Sequence, residues 1–158
     1  PGCRWRRSRM WQARFYQSLP RIVADYPDAR WMFLTRTVRN CASGELGEML
    51  NRMNAAVQRM KVRKEFRPVQ GWIRTTEVTR GSDGRAHPPF HTPMMVPPGM
   101  LNGQSFVWHE RWVELWRVCL RDDYDPIVVV RAVDTRKPLG GDSQACAPSG
   151  LVRGSVAE

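Results

Sequence analysis

Apolar residues along the chain alternate between helical spacing and strand-like density, and the alternation sets out an order of elements. Residues 5 to 19 read as a basic amphipathic helix carrying Met10, Trp11 and Phe15, predicted to stop at Pro20. "RWMFLTRTVRN" (30 to 40) is rich in aromatic and β-branched residues and predicts a strand. Ser43 then stands as an N-cap with Glu45 in the first turn. Leu46, Met49, Leu50, Met53, Val57 and Met60 follow at helical spacing, a methionine stripe that reads as core.

"GWIRTTEVTR" (71 to 80) and "HPPFHTPMMV" (87 to 96) flank "GSDGRA", whose glycines Gly81 and Gly84 signal a loop, so the two segments predict an antiparallel hairpin. A second helix is expected over about 105 to 121, with Trp108, Trp112, Leu115, Trp116 and Cys119 on a broad apolar face. "DPIVVVRAV" (125 to 133) closes the pattern as a strand. The order β-α-β-β-α-β predicts an α+β fold of ferredoxin-like layout: an antiparallel sheet of 31–39, 71–80, 87–96 and 126–133, covered by helices at 44–60 and 105–121. Residues 1–134 read as one domain. From 135 to 158 the chain is rich in Gly, Pro and Ser without a period, and is expected to be a disordered, unrelated tail.

Charge adds a partner to this picture. The 158 residues carry 25 Lys and Arg against 15 Asp and Glu, a formal charge of +10. Such a balance favours a polyanion, because neutralising phosphates releases counterions and contributes affinity without reading sequence. The charge is clustered, in "CRWRRSRMWQAR" at the start and "RMKVRKEFR" at 59 to 67, which points to nucleic acid. Arg4, Arg6, Arg7, Arg9, Arg63 and Lys64 are the candidate DNA contacts. Cys3, Cys41, Cys119 and Cys146 stand far apart with no CxxC pair, which excludes a disulfide framework or a complete zinc module and suits a reducing compartment. No run approaches the roughly 18 apolar residues of a membrane span, and no signal-peptide core opens the chain; a cytoplasmic protein without membrane contact is expected. A start without Met, in mid-pattern, is expected of a fragment.

The hairpin concentrates the chemistry. Alternation puts Glu77 on one strand face with Ile73, Thr75 and Thr79, and His87, Pro89, His91 and Pro93 on one face of the partner. Two histidines at i and i+2 beside a carboxylate would give three ligands for a divalent metal with positions open for phosphate oxygens. Here the spacing is i and i+4, so in a regular strand His87 and His91 stand about 13 Å apart. Spacing alone leaves both a metal site and a merely hydrogen-bonded histidine open.

The succession "FLTRTVRN", "GWIRTTEVTR", "AHPPFHTPMMVPP" and "WVELWRVCLRDDYDPIVVVRAV" resembles the replication initiators of rolling-circle plasmids, within the HUH endonuclease class. The resemblance implies that His91 is a metal-ligand histidine and Glu77 the third ligand, for a weakly held Mg²⁺ or Mn²⁺. The family's other histidine falls on Pro89, and His87 matches its leading histidine, peripheral to the metal. Arg36 replaces a strand leucine and puts a charge on the face of Leu34 and Val38. Cys3 resembles the last member of a cysteine cluster. The family's nucleophilic tyrosine lies after the last strand, yet no tyrosine follows Tyr124. Tyr124, in "RDDYDP", matches a structural loop and is the fallback nucleophile.

In the intact family a metal polarises the scissile phosphate for attack by tyrosine, giving a 5′-phosphotyrosine and a free 3′-OH. The resemblance therefore implies a plasmid replication initiator on single-stranded or hairpin origin DNA, with host replication proteins as partners and a compromised nicking site. Two rivals remain on the sequence: a non-catalytic basic DNA-binding module in which exposed Trp stacks on bases, and a decayed fragment without a DNA role. Trp108, Trp112 and Trp116 are expected in the core, with Trp5 and Trp72 open between core and surface.

Overall fold

A computed structural model describes residues 2–133, with side chains from residue 6 onward. The expected tail at 135–158, Cys146, and the side chains of Cys3, Arg4 and Trp5 lie outside the described residues.

Four antiparallel strand positions form the main sheet. In chain order they are β1 (Arg30–Arg36), β2 with β3 (Gly71–Trp72 and Thr75–Thr76), β6 (Phe90–Val96) and β7 (Val128–Val133). Across the sheet the order is β2/β3, β6, β1, β7, so that first and third strands lie at the centre. With β2 and β3 taken as one broken strand, this is the ferredoxin-like order the sequence predicts. A separate two-stranded ribbon pairs β4 (Thr79–Arg80) with β5 (Ala86–His87). It is tied to the segment that follows β1 by paired hydrogen bonds between Cys41 and Ala86.

Alternation decides which face is covered. Met32, Leu34 and Arg36 of β1 and Phe90, Thr92, Met94 and Val96 of β6 are buried. They pack with Met53, Val57 and Met60 of α2 (Leu46–Met60) and Trp112, Leu115, Trp116 and Cys119 of α4 (His109–Leu120). Each large side chain removed from water here contributes about 1.5–3 kcal/mol. On the opposite face Phe33, Thr35, His91 and Pro93 stay half-exposed.

Several boundaries differ from expectation. The segment 71–80 is not one strand, because β6 carries Pro93 opposite Ile73. Proline has no N–H to give, so the ladder lapses there although the Pro93 carbonyl still accepts the Ile73 N–H at 3.1 Å. Residues 79–80 and 86–87 leave the main sheet for the ribbon, which also shortens the strand expected at 87–96. β1 ends at Arg36, although the Thr37 N–H still reaches the Ile127 carbonyl in the register of the β1–β7 pair. The first helix, α1 (Gly2–Asp25), runs through Pro20 instead of stopping there. None of its described side chains is fully buried, so little packing opposes the local bend that a proline favours.

Ser43 is not the N-cap of α2. A 3₁₀ turn, Ser43–Glu45, precedes the helix, and Glu45 Oε2 accepts the Ala42 N–H at 3.0 Å. The helix expected at 105–121 begins only at His109, and a short helix α3 (Gly99–Asn102) precedes it. Trp108 consequently stands outside the core, 68 % exposed, with its ring edge-on to Phe106.

Arg121 closes α4 in the left-handed region, at φ 61° and ψ 42°. Its N–H still reaches the Arg117 and Val118 carbonyls. A Cβ in this conformation is costly, so Arg121→Gly should stabilise the fold by about 0.5–1 kcal/mol. The urea midpoint would rise with an unchanged slope; a fall would show that the arginine side chain outweighs the backbone cost.

Candidate functional site

The half-exposed face of the sheet brings Glu77 and His91 together. Thr75 pairs with His91, and the Glu77 N–H is accepted by Pro89 at 3.2 Å, so Glu77 stands across from the residue two before His91. Glu77 Oε2 lies 3.2 Å from His91 Nε2. The two side chains thus stand on neighbouring segments and meet on one face, as a shared ion would require.

Two residues that sequence reasoning missed hold the imidazole. Thr35 lies opposite His91 in the β1–β6 register, and its hydroxyl is 3.0 Å from Nδ1. Phe33 stacks on the ring, with centroids 5.8 Å apart and planes 25° from parallel. Both sit in "FLTRT" at alternate positions, but only the cross-strand register shows that they meet His91. With Nδ1 engaged by Thr35, Nε2 is the nitrogen turned toward Glu77.

The other candidates go elsewhere. His87 belongs to the β4–β5 ribbon, where its Nδ1 meets Asn40 Oδ1 at 2.8 Å. Asn40 also donates to Asp83, whose carboxylate accepts the Arg85 N–H. These hydrogen bonds hold the Asp83 carboxyl below its usual range. Among the described residues, no three His, Cys, Asp or Glu side chains come together to hold a metal ion. Glu77 and His91 supply two donors, already bonded to each other, and Pro89 adds none. The residues present do not fit a divalent metal.

Tyr124 is half-buried. Its hydroxyl accepts the Arg39 N–H at 2.9 Å, and the Arg39 guanidinium lies 3.9 Å over its ring. Burial pushes the phenol above its ordinary value, the opposite of activation. Tyr16 is exposed on α1, and Tyr26 follows that helix.

Arg6, Arg7 and Arg9 are exposed on α1, as are Arg63 and Lys64 beyond α2. The second pair is presented by a 3₁₀ turn, Lys64–Phe66, anchored through Glu65. Burial alone would raise the Glu65 carboxyl, but hydrogen bonds from its own backbone and from Arg111, at 2.8 Å, bring it below the carboxylate range. Trp72, 39 % exposed, meets Phe66 edge-on and belongs to the same corner.

Residues 1–149 match the sequence profile of a replication protein family. "Protein rep" of Lactiplantibacillus plantarum is 33% identical over 147 residues, which cover 90% of this chain and 46% of that one. "Protein rep" of Streptococcus pneumoniae (strain D39) is 31% identical over 140 residues, 84% of this chain and 43% of its own length. A "Replication protein" of Staphylococcus aureus is 30% identical over 128 residues, 78% of this chain and 54% of the other. The chain spans about half the length of the curated relatives it matches. No solved structure matches.

Proposed function

This chain belongs to the replication protein family, and from that premise we propose that it serves plasmid replication initiation by binding origin DNA in single-stranded or hairpin form. The observation that carries the reading is the Glu77–His91 pair, fixed by Thr35 and Phe33 on the uncovered face of the sheet. Aromatic, histidine and carboxylate groups held on an open sheet face, with exposed Arg131 opposite Phe33, suit a nucleic-acid strand laid across it. Nicking through a metal-assisted phosphotyrosine is compromised in this chain. The second reading, a binding module without chemistry, is favoured by two observations: among the described residues no more than two metal donors meet, and the half-buried Tyr124 is engaged by Arg39. Among the described residues no helix is long and apolar enough to cross a membrane. We place the protein in the cytoplasm, working with host replication proteins.

Binding should be measurable at low salt and fall steeply as salt rises from about 50 to 200 mM, because arginines must displace counterions from phosphates. Neutralising Arg4, Arg6, Arg7 and Arg9 together should lower the salt slope by about 3, at roughly 0.7 per phosphate contact on single strands. Fluorescence anisotropy with a labelled origin hairpin and a single strand measures both. Salt-insensitive binding, or none at low salt, would remove DNA from the reading.

A further inference from the structure

The uncovered face has a cavity at the end remote from His91. It holds about 170 Å³ and is lined by Val23 and Tyr26 from the end of α1 and the turn after it, Ala29, Arg30 and Trp31 at the start of β1, and Met95 of β6. Trp31 pairs directly with Met95, so both reach it from the same face that carries Phe33, Thr35 and His91. Arg30 also lines it, and its guanidinium donates to the Asp28 and Ala29 carbonyls, at 3.0 and 3.2 Å. Arg131, exposed, stands opposite Phe33 in the β1–β7 register, midway between the cavity and Thr35.

We propose that this cavity receives one nucleobase of a single-stranded DNA segment lying along β1 and β6. Tyr26, Trp31, Val23 and Met95 supply aromatic and aliphatic surface to a cavity of mixed polarity, and every base has a π-face that such rings can meet without reading sequence. Arg30 at the wall and Arg131 along the path are placed for the flanking phosphates. Thr35 lies four positions beyond Trp31, about 13 Å in a strand, so one short single strand could occupy the cavity and pass Glu77 and His91 together. The cavity would then fix the strand's register over the pair. This inference rests on the DNA-binding reading above.

An abasic scan tests it. In a single strand of roughly twelve nucleotides, each position in turn is made abasic and binding is measured by anisotropy. One position should weaken binding on the order of tenfold, the loss of one stacked base. In Tyr26→Ala that position-specific loss should vanish, and in Tyr26→Phe it should return. Tyr26 is 46 % exposed, so its replacement spares the core, and thermal melting checks this. An even scan, or a position effect of equal size in Tyr26→Ala, overturns the cavity inference while DNA binding itself stands. Absence of binding by the unmodified chain overturns the DNA reading, and this inference with it.

Discussion

Replacing Arg36 with leucine should stabilise the protein by about 1–4 kcal/mol, raising its melting temperature by roughly 2–4 °C for each kcal/mol. Arg36 is 1 % exposed, on the helix-covered face of β1. Among the described residues its guanidinium meets no carboxylate: one nitrogen donates to Thr92 Oγ1 at 2.5 Å, another to the Met60 sulfur at 3.1 Å, and Nε has no partner. The Trp116 ring, 5.0 Å from the guanidinium carbon, offers partial compensation. Burial, with repulsion from Arg74 second, lowers the Arg36 pKa to about 9.

The sign of the pH dependence follows. Below about 9 both folded and unfolded chains keep the proton, and the full cost of a buried charge falls on the folded state. Above it the folded chain releases the proton before the unfolded chain does, so stability is regained as pH rises. The advantage of Arg36→Leu should therefore be constant from neutral pH to about 8 and shrink above 9. Urea titrations of both forms at several pH values measure it. Arg36→Met, closer in volume, guards against a cavity, and Thr92→Val should cost more beside Arg36 than beside leucine. A destabilised leucine variant would mean that Thr92, Met60 and Trp116 compensate the charge.

Changing Pro89 to histidine should raise the affinity for Mn²⁺ on the order of 10- to 100-fold, since even losing a group that merely orients a ligand costs that much. Position 89 stands opposite Glu77 and two residues before His91, about 6.6 Å along the strand, within reach of one ion. Proline offers no donor atom, whereas Thr35 already sets the His91 ring with Nε2 toward Glu77. The unmodified chain should bind Mg²⁺ and Mn²⁺ weakly. Neither form should make a covalent DNA adduct, because Tyr124 is engaged by Arg39 and its phenol pushed upward. Calorimetric titration and a denaturing gel read the two outcomes. Equal affinities would show that position 89 is no ligand position, and an adduct from the unmodified chain would make Tyr124 the first suspect.

The strand order and both main helices were legible because the Met stripe of α2 and the Trp-rich face of α4 keep helical spacing, and because β1 and β6 alternate. Glu77 and His91 were legible as a pair because period 2 fixes faces. Arg36 stood out as a charge among Leu34 and Val38. What stayed hidden depends on contacts between distant segments. Thr35 meets His91 and Asn40 meets His87 only through register and loop placement. The split of 71–80 follows from Pro93 on the next strand, which nothing within 71–80 announces. Trp108 was misplaced because its spacing suits the helix it only precedes.

The lapse opposite Pro93 has a colloidal consequence. A strand on the outside of a sheet is a template for another chain, and a long continuous one invites cross-β growth. Here that border offers two residues, a gap, and two more, too few consecutive backbone groups to seat a foreign strand. Smoothing it by replacing Pro93 would restore ladder hydrogen bonds and, by the same act, open a docking rail for aggregation beside Glu77.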